Sequence, residues 1–370
     1  MAILLFVFVL GLLVFVHELG HFWTARRLGV HVEEFGFGFP PRIVGRRRNG
    51  VVYSINWIPF GGFVRLKGEQ AHEPSDDPRS FQNAPRHRRA LIIAAGVLMN
   101  GALAMVLLIV TYLGGMKTFA TETLPGAQLR DPEVVITSIL AESPAGNAGL
   151  TEGAFIRSVN GESVSDAEVV RERIEQALGQ PLTFVVERDA VLQDVVITPT
   201  SIEGSDVGKI GAGIETVARA TYPVHWAILN AFRTTGELAW LVLVAFGTLV
   251  KDIVVHQSIS ADVAGPVGIA VLTGQVAQFG LLAIFQFMAI LSISLMVINL
   301  MPFPGLDGGR LFFLWLEAIR KKGISQKTEA IIHNVGFVLL ILLLVAVSIK
   351  DVRQFGVGER IADAVRSIFR

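Results

Sequence analysis

Long stretches without charged side chains constrain this chain more than any other feature. Residues 1–16 contain no ionisable side chain, and residues 90–112, 281–303 and 335–348 are equally free of charge. A helix needs about 20 mostly apolar residues to cross the hydrocarbon core of a bilayer. We therefore predict a polytopic α-helical membrane protein that crosses the bilayer four times.

The four transmembrane helices are predicted at residues 1–28, 90–114, 281–309 and 331–349. The first is as apolar as a secretory signal peptide, but a signal peptide carries basic residues before its apolar part. Here Arg26 and Arg27 follow the apolar part, and Lys and Arg accumulate on the cytoplasmic side of membrane helices. We therefore expect an uncleaved anchor whose N-terminus lies outside.

The net charge is zero, but the charged residues are unevenly distributed. Residues 26–90 contain twelve Lys or Arg against six Asp or Glu, whereas residues 115–224 contain eight against sixteen. The first region is therefore predicted to be cytoplasmic and the second external. No basic patch with interleaved aromatic residues indicates nucleic-acid binding. The chain has no cysteine, which excludes disulfides and thiolate metal sites.

The loops between the predicted spans carry patterns of their own. Within the cytoplasmic loop 29–89, residues 51–66 alternate and are rich in β-branched and aromatic side chains, which predicts a membrane-associated β-hairpin. Residues 122–215 alternate as strands at 182–187 and 191–198 and also show helical periodicity. This mixture predicts one small external domain.

Residues 222–255 are ambiguous, because their last part is apolar enough to cross a membrane with help. Four polar residues nevertheless share one face of a helix: Asn230, Arg233, Thr234 and Glu237. This stripe predicts an amphipathic helix that lies in the membrane interface instead of crossing it. Residues 350–370 are predicted to form a short external tail.

The motif HELGH at residues 17–21 carries the most specific chemistry. Residues four apart share a face of a helix, so His17 and His21 can reach one metal ion while Glu18 lies beside it as a general base. Ionisable groups inside an apolar span are energetically costly and usually functional. The alternative is that the span ends at Val16 and the motif is only its polar flank, which leaves the metal spacing unexplained.

A catalytic zinc ion needs a third protein ligand and an open position. Asp307, the acidic residue that closes the apolar run 281–303, is the candidate for this third ligand. The alternative is that Asp307 is an ordinary acidic residue in a helix-terminal turn. If residues 222–255 do not cross the membrane, Asp307 and the two histidines reach the same side. If they do cross, Asp307 reaches the opposite side, so the polar stripe and the metal site give the same topology.

The predicted chemistry is hydrolysis of a peptide bond. Zinc would polarise the scissile carbonyl and lower the pKa of a water molecule, whose proton Glu18 would take. A substrate helix must be unwound before attack, because its carbonyls are bonded internally. The predicted hairpin offers an edge to which an extended substrate could pair, so Gly61 and Gly62 are predicted to contact substrate.

Two motifs together resemble the site-2 protease family of intramembrane zinc metalloproteases, in its bacterial RseP-type form. They are HELGH and the sequence NLMPFPGLDGG at residues 299–309, which matches N-x-x-P-x-P-x-L-D-G-G. GPVGI at residues 265–269 precedes the second motif, and residues 142–161 resemble a bacterial PDZ domain. The resemblance covers nearly the whole chain.

This resemblance implies that His17, His21 and Asp307 bind zinc, that Glu18 is catalytic, and that Asn299 and Pro302 lie in the substrate cleft. It implies a multi-pass protein of the bacterial inner membrane with its PDZ-like domain on the external side. Its partners would be the lipid bilayer, a peptide ligand of that domain, and single-pass membrane proteins as substrates. Such substrates are anti-sigma factors already cut once outside, and remnant signal peptides.

The chain also departs from the family pattern. Ala154 stands where the PDZ-like stretch usually has Asp, and only one PDZ-like unit fits between the helices. Val97 stands where a helix-two motif ending in Asn100 usually has Pro, and such an Asn is as often a contact between helices. Five further histidines are expected in loops or at helix ends: His72, His87, His225, His256 and His333.

Two other classes of function deserve comparison. A membrane adaptor that holds clients through its PDZ-like domain without cutting them would tolerate broken metal motifs, and both motifs are intact. An ion transporter usually shows inverted repeats, and none is evident in the sequence. The protease interpretation therefore explains more of the chain.

Overall fold

The structure is a computed structural model that describes residues 2–69, 76–188, 191–201, 207–256 and 264–355. The elements in chain order are α1 (Ala2–Arg27), β1 (Val32–Arg48), β2 (Val51–Leu66), α2 (Arg86–Gly114), β3 (Met116–Phe119), β4 (Gln128–Ile139), α3 (Pro144–Asn147), β5 (Phe155–Val159), β6 (Glu162–Ser163), α4 (Ala167–Gln176), β7 (Leu182–Arg188), β8 (Val191–Ile197), β9 (Ala212–Thr221), α5 (Val224–Lys251), α6 (Pro266–Ala277), α7 (Leu281–Leu300), α8 (Asp307–Arg320) and α9 (Gln326–Gln354). They form two units, residues 1–110 with 231–370 and residues 111–230.

Five of the described helices are long and apolar enough to cross a membrane, by length and composition: α1, α2, α5, α7 and α9. This makes the chain a multi-pass membrane protein. The sequence predicts four crossings, and the additional helix is α5, the least apolar of the five. These criteria are length and composition alone, so they do not test whether α5 lies in the membrane interface, and that location stays a prediction. Most of the predicted tail, from residue 356 onward, lies outside the described residues.

The third predicted span differs from the structure at its end. α7 stops at Leu300, and a turn separates it from α8, which begins at Asp307. Met301 is extended (φ −64°, ψ 142°), as expected for a residue that precedes a proline. Pro302 and Pro304 cannot donate backbone hydrogen bonds, so they end the helix and leave a turn before Asp307.

The predicted hairpin at residues 51–66 also differs, because those residues form one long strand. β2 pairs antiparallel with β1, a strand that the sequence analysis did not identify. The connection is the Asn49-Gly50 turn, in which both residues have positive φ angles (50° and 83°), as type I′ hairpin turns require. Phe35 of β1 pairs with both Tyr53 and Val64, so the start of β1 lies between the two halves of β2.

A buried apolar cluster fixes this sheet against the helices. Phe22 and Ala25 of α1 pack with Phe35 of β1, Ile92 of α2 and Leu314 of α8. The far part of the sheet instead exposes large apolar side chains: Phe37, Phe39, Ile43, Val44, Ile55 and Trp57. One end of the sheet is therefore held beside the HELGH helix, while the other presents an apolar surface.

The unit of residues 111–230 is an antiparallel sheet with two short helices. Its strand order is β3-β9-β4-β5-β7-β8, with β6 paired to β5. Phe184, Val170 and Ile156 lie in its fully buried core. Asp166 caps α4 by accepting a hydrogen bond from the Glu168 N–H. The strands β7 and β8 lie where residues 182–187 and 191–198 predicted them, and the sheet extends beyond the predicted limits of 122–215 on both sides.

Candidate metal centre

The two histidines of HELGH lie on one face in the second half of α1. Both are buried, and their Nε2 atoms are 3.1 Å apart. Glycines let α2 approach this face closely. A Cβ atom at Gly20 would overlap the backbone of Ala95, and one at Gly96 would overlap the His21 ring.

Asp307 reaches the same place from the first residue of α8. Its Oδ2 atom lies 3.0 Å from His17 Nε2 and 3.2 Å from His21 Nε2. Gly308 and Gly309 allow this approach, because a Cβ atom at either would overlap the backbone of the turn that ends α7. His17, His21 and Asp307 form the group in the described residues that could hold a metal ion, with ligand atoms all within 4.8 Å of one another.

The Nδ1 atoms of both imidazole rings, which point away from the candidate metal position, also have polar neighbours. His21 Nδ1 lies 2.8 Å from the carbonyl oxygen of Ile92, so Nδ1 carries the proton and Nε2 keeps its lone pair. The Asn100 side chain lies 3.4 Å from His17 Nδ1, and its Oδ1 atom is buried without a hydrogen-bond partner. A rotation of this amide would direct Oδ1 toward a protonated His17 Nδ1 and leave His17 Nε2 free as well.

These residues fit a zinc ion. A tetrahedral zinc with bonds of about 2.0–2.1 Å separates its ligand atoms by about 3.3 Å, close to the three distances between His17, His21 and Asp307. Asp307 Oδ2 is buried and receives no hydrogen bond within the described part of the chain. Two imidazole nitrogens and one carboxylate oxygen are the ligand types of a catalytic zinc site with an open position.

Glu18 lies beside this group and faces a cavity of about 390 Å³. Its Oε2 atom accepts a hydrogen bond of 3.0 Å from the backbone N–H of Val64 in β2. His21 and Asp307 line the same cavity, together with Gly62 and Val64. The cavity therefore brings the Glu18 carboxylate, two of the candidate metal ligands and a strand edge into one space.

The predicted substrate-contacting residues are distributed differently. Gly62 lines the cavity, whereas Gly61 packs against Val14 of α1 and has a positive φ angle of 91°. Asn299 is partly buried near the end of α7, and Pro302 is exposed in the following turn. Neither Asn299 nor Pro302 belongs to the lining of this cavity.

Three further polar groups lie at the site without being among the predicted site residues, although Asn100 belongs to the helix-two motif noted in the sequence. Asn100 is fully buried against His17, and its carbonyl oxygen accepts a hydrogen bond from Ser292. Arg310 of α8 forms an ion pair with Glu69 at the cavity wall. His333, which was expected in a loop or at a helix end, lies within α9 and lines the cavity.

Comparison of the sequence with known proteins identifies one family. The profile of peptidase family M50 matches residues 5–343. The chain is 29% identical to the zinc metalloprotease RasP of Geobacillus kaustophilus, over 96% of this chain and 98% of that protein. It is 27% identical to the regulator of sigma-W protease RasP of Bacillus subtilis, over 95% and 98%. A PDZ domain of an SdrC-like protein from Listeria monocytogenes is similar to 24% of the chain and 92% of that domain, with 17% identity and a TM-score of 0.22.

Proposed function

The chain belongs to peptidase family M50 and is a metalloprotease, and from this premise we propose that it is a zinc enzyme that cuts single-pass membrane proteins within the bilayer. The observation that carries the proposal is the convergence of His17, His21 and Asp307 beside Glu18, because all four lie on helices that adjoin or form apolar spans. Three ionisable residues in a span are costly unless they serve a site.

His17, His21 and Asp307 would hold the zinc ion. When bound, zinc supplies a Lewis acid that polarises the scissile carbonyl and makes a nearby water more acidic. Ile92 and Asn100 fix the orientation of the two imidazole rings through Nδ1, as the outer partners of metal-binding histidines usually do. The ring positions are thus set before the metal arrives.

Glu18 is the general base. Its carboxylate takes a proton from the attacking water and passes it to the nitrogen of the departing amine. The Val64 N–H holds the carboxylate at the cavity wall, 3.0 Å away, so that the base is oriented by β2 as well as by α1. The cavity also gives water a route to the site, which hydrolysis requires.

The metal centre supports the predicted topology. Because the ends of α1 and α7 both reach the centre, these helices run in the same direction across the membrane. α2 returns to the side on which α1 begins, and α7 begins on that same side. The chain between α2 and α7 therefore makes an even number of crossings. α6 has 12 residues, or about 18 Å, and is too short to balance a crossing by α5. α5 therefore lies in the interface, and the unit between α2 and α5 is external.

The substrates are transmembrane segments of single-pass proteins, in the manner of anti-sigma factors after a first external cut or of remnant signal peptides. An extended substrate adds to the edge of β2 at Gly62–Val64, which adjoins Glu18. The unit of residues 111–230 acts as a PDZ-like domain that binds a peptide or limits access to the site. The enzyme resides in the bacterial inner membrane.

The test is cleavage of a tagged, truncated single-pass protein in cells that express either the wild-type chain or the Glu18→Gln variant. The proposal expects cleavage only by the wild type, with both proteins present in the membrane at equal amounts. Equal cleavage by both would refute the role of Glu18. Binding of the tagged protein by both without any cleavage would instead support the adaptor alternative.

A further inference from the structure

The turn that delivers Asp307 rests on α9. The backbone N–H of Gly305 donates a 2.9 Å hydrogen bond to Nδ1 of His333. Gly336, one turn further along α9, lies so close to Pro304 that a Cβ atom there would overlap its carbonyl group. α9 therefore contacts the turn two and three residues before Asp307.

The contact with His333 differs from the other hydrogen bonds of this turn. The N–H groups of Phe303 and Leu306 bond within the turn, to the carbonyl oxygens of Met301 and Phe303 at 2.7 and 3.2 Å. The Gly305 N–H is instead donated to a side chain on another helix. Gly305 has a φ angle of 97°, a conformation that other residues rarely adopt, so its N–H direction is specific to this turn.

The same hydrogen bond defines the tautomer of the His333 ring, that is, which ring nitrogen carries the proton. Because Nδ1 accepts a hydrogen bond from the Gly305 N–H, the ring proton is on Nε2. Nε2 is buried and lies 4.0 Å from Glu329 Oε1, beyond hydrogen-bond distance. The ring packs against Phe313 of α8, with 5.4 Å between ring centroids, and borders the cavity that contains Glu18. Nδ1 is thus the atom that ties α9 to the turn.

We propose that His333 is a positioning residue for the metal centre, which acts through Nδ1 by holding Gly305 and thereby placing Asp307 at the two histidines. The proposal rests on the proposed function to the extent that Asp307 is a zinc ligand. Its consequence is that loss of the Nδ1 acceptor loosens the one ligand supplied from outside α1, and the bound zinc then leaves faster.

Two substitutions distinguish the roles of the two ring nitrogens of His333, because each keeps a polar atom at the position of only one of them. In His333→Asn, the Oδ1 atom is the same number of bonds from Cβ as Nδ1 and can accept from Gly305. In His333→Gln, the amide lies at the position of Nε2 and the Nδ1 acceptor is lost. His333→Phe keeps the ring contact with Phe313 and has no acceptor at all. Val335→Ala, at an exposed position of α9, is the control.

The measurement is the rate at which zinc passes from the purified, full-length, zinc-loaded protein in detergent to a chelator. We expect H333Q and H333F to release zinc about tenfold or more faster than H333N, within the range found when outer partners of metal ligands are lost. Cleavage of a membrane substrate should fall in the same order, and V335A should match the wild type. Thermal unfolding of the metal-free proteins identifies a variant that is misfolded, and either H333Q or H333F is sufficient for the comparison.

Equal release by H333N, H333Q and H333F would overturn the inference, as would release at the wild-type rate by H333Q and H333F. A wild-type protein that binds no zinc would refute the zinc centre itself, which is a different result. The two failures are therefore distinguishable in one experiment.

Discussion

The backbone of Gly96 lies directly against the imidazole ring of His21, so that no side chain fits between α2 and this ring. A methyl group at this position must displace the ring, because α2 is also held against α1 at Gly20. The position of His21 in the metal centre thus depends on a glycine of another helix.

The Gly96→Ala variant should therefore lose zinc affinity and cleavage by about tenfold or more. Gly101→Ala is the matched control on the same helix, since its Cβ atom would meet only the flexible Met296 side chain, 2.7 Å from Sδ. Zinc titration and substrate cleavage by the two purified variants test this prediction. Similar losses in both variants would point to a general disturbance of α2.

Asn100 should be more important than a simple contact between helices. Asn100→Ala removes the polar partner of His17 Nδ1 and leaves that atom buried without one. We expect zinc affinity to fall by about 10–100-fold, the effect typical of outer metal partners, while the protein remains folded. Ser292→Ala is the comparison, because it removes the hydrogen bond to the Asn100 carbonyl and leaves the side chain of Asn100 in place. An Asn100→Ala protein with unchanged zinc affinity would exclude this role.

Asp351 should contribute to stability. This fully buried residue of α9 accepts hydrogen bonds from the N–H groups of Gly265 and Gly268, at 2.9 and 2.7 Å, at the start of α6. Hydrogen bonds to charged groups are each worth about 1.5–3 kcal/mol, so Asp351→Leu should lower the free energy of unfolding by about 3 kcal/mol. Asp351→Asn keeps an acceptor oxygen and should lose less. Equilibrium unfolding in mixed micelles gives both values, and equal losses would contradict the capping role.

The external unit should show an acid-dependent stability. Lys117 and, to a lesser degree, Arg157 hold the pKa of Glu133 below its ordinary value of 4.5. A lowered pKa in the folded state stabilises the fold above the ordinary value, and the effect is lost as pH falls through the lowered pKa. The wild type should therefore resist proteolysis of residues 111–230 better than Glu133→Gln at neutral pH. The difference should shrink below about pH 4.

Limited proteolysis of the full-length proteins across this pH range measures the effect. Glu142→Gln, at an exposed position of the same unit, is the control and should follow the wild type at every pH. A difference between wild type and E133Q that does not change with pH would mean that the ionised carboxylate contributes nothing.

Local patterns predicted most of the helices, and they pointed to the three side chains that the structure brings together, because both depend on short spacings. The i, i+4 spacing of His17 and His21 already places them on one helix face, and the apolar run before Asp307 brings that residue to the end of a span. The alternation at residues 182–187 and 191–198 marks β7 and β8 for the same reason. Each of these signals lies within a few residues of the feature that it predicts.

The rest depends on contacts between distant parts of the chain. Asn100 is 83 positions from His17, and His333 is 28 positions from Gly305, so neither partnership has a local signature. β1 was missed because Pro40, Pro41 and three consecutive arginines are unusual in a strand. The Asn49-Gly50 pair is a recognised hairpin signal and would have indicated the strand pairing.

The most direct measurement of the central claim is the zinc content of the purified, full-length protein. The wild type should bind one zinc ion per chain, and Glu18→Gln should bind it equally well while being inactive, because Glu18 acts on a proton and is not a ligand. His17→Ala, His21→Ala and Asp307→Ala should lose the metal, whereas His225→Ala, at an exposed histidine of the other unit, should retain it. Zinc retained by the Asp307→Ala variant at the wild-type level, or lost from the Glu18→Gln variant, would contradict the account.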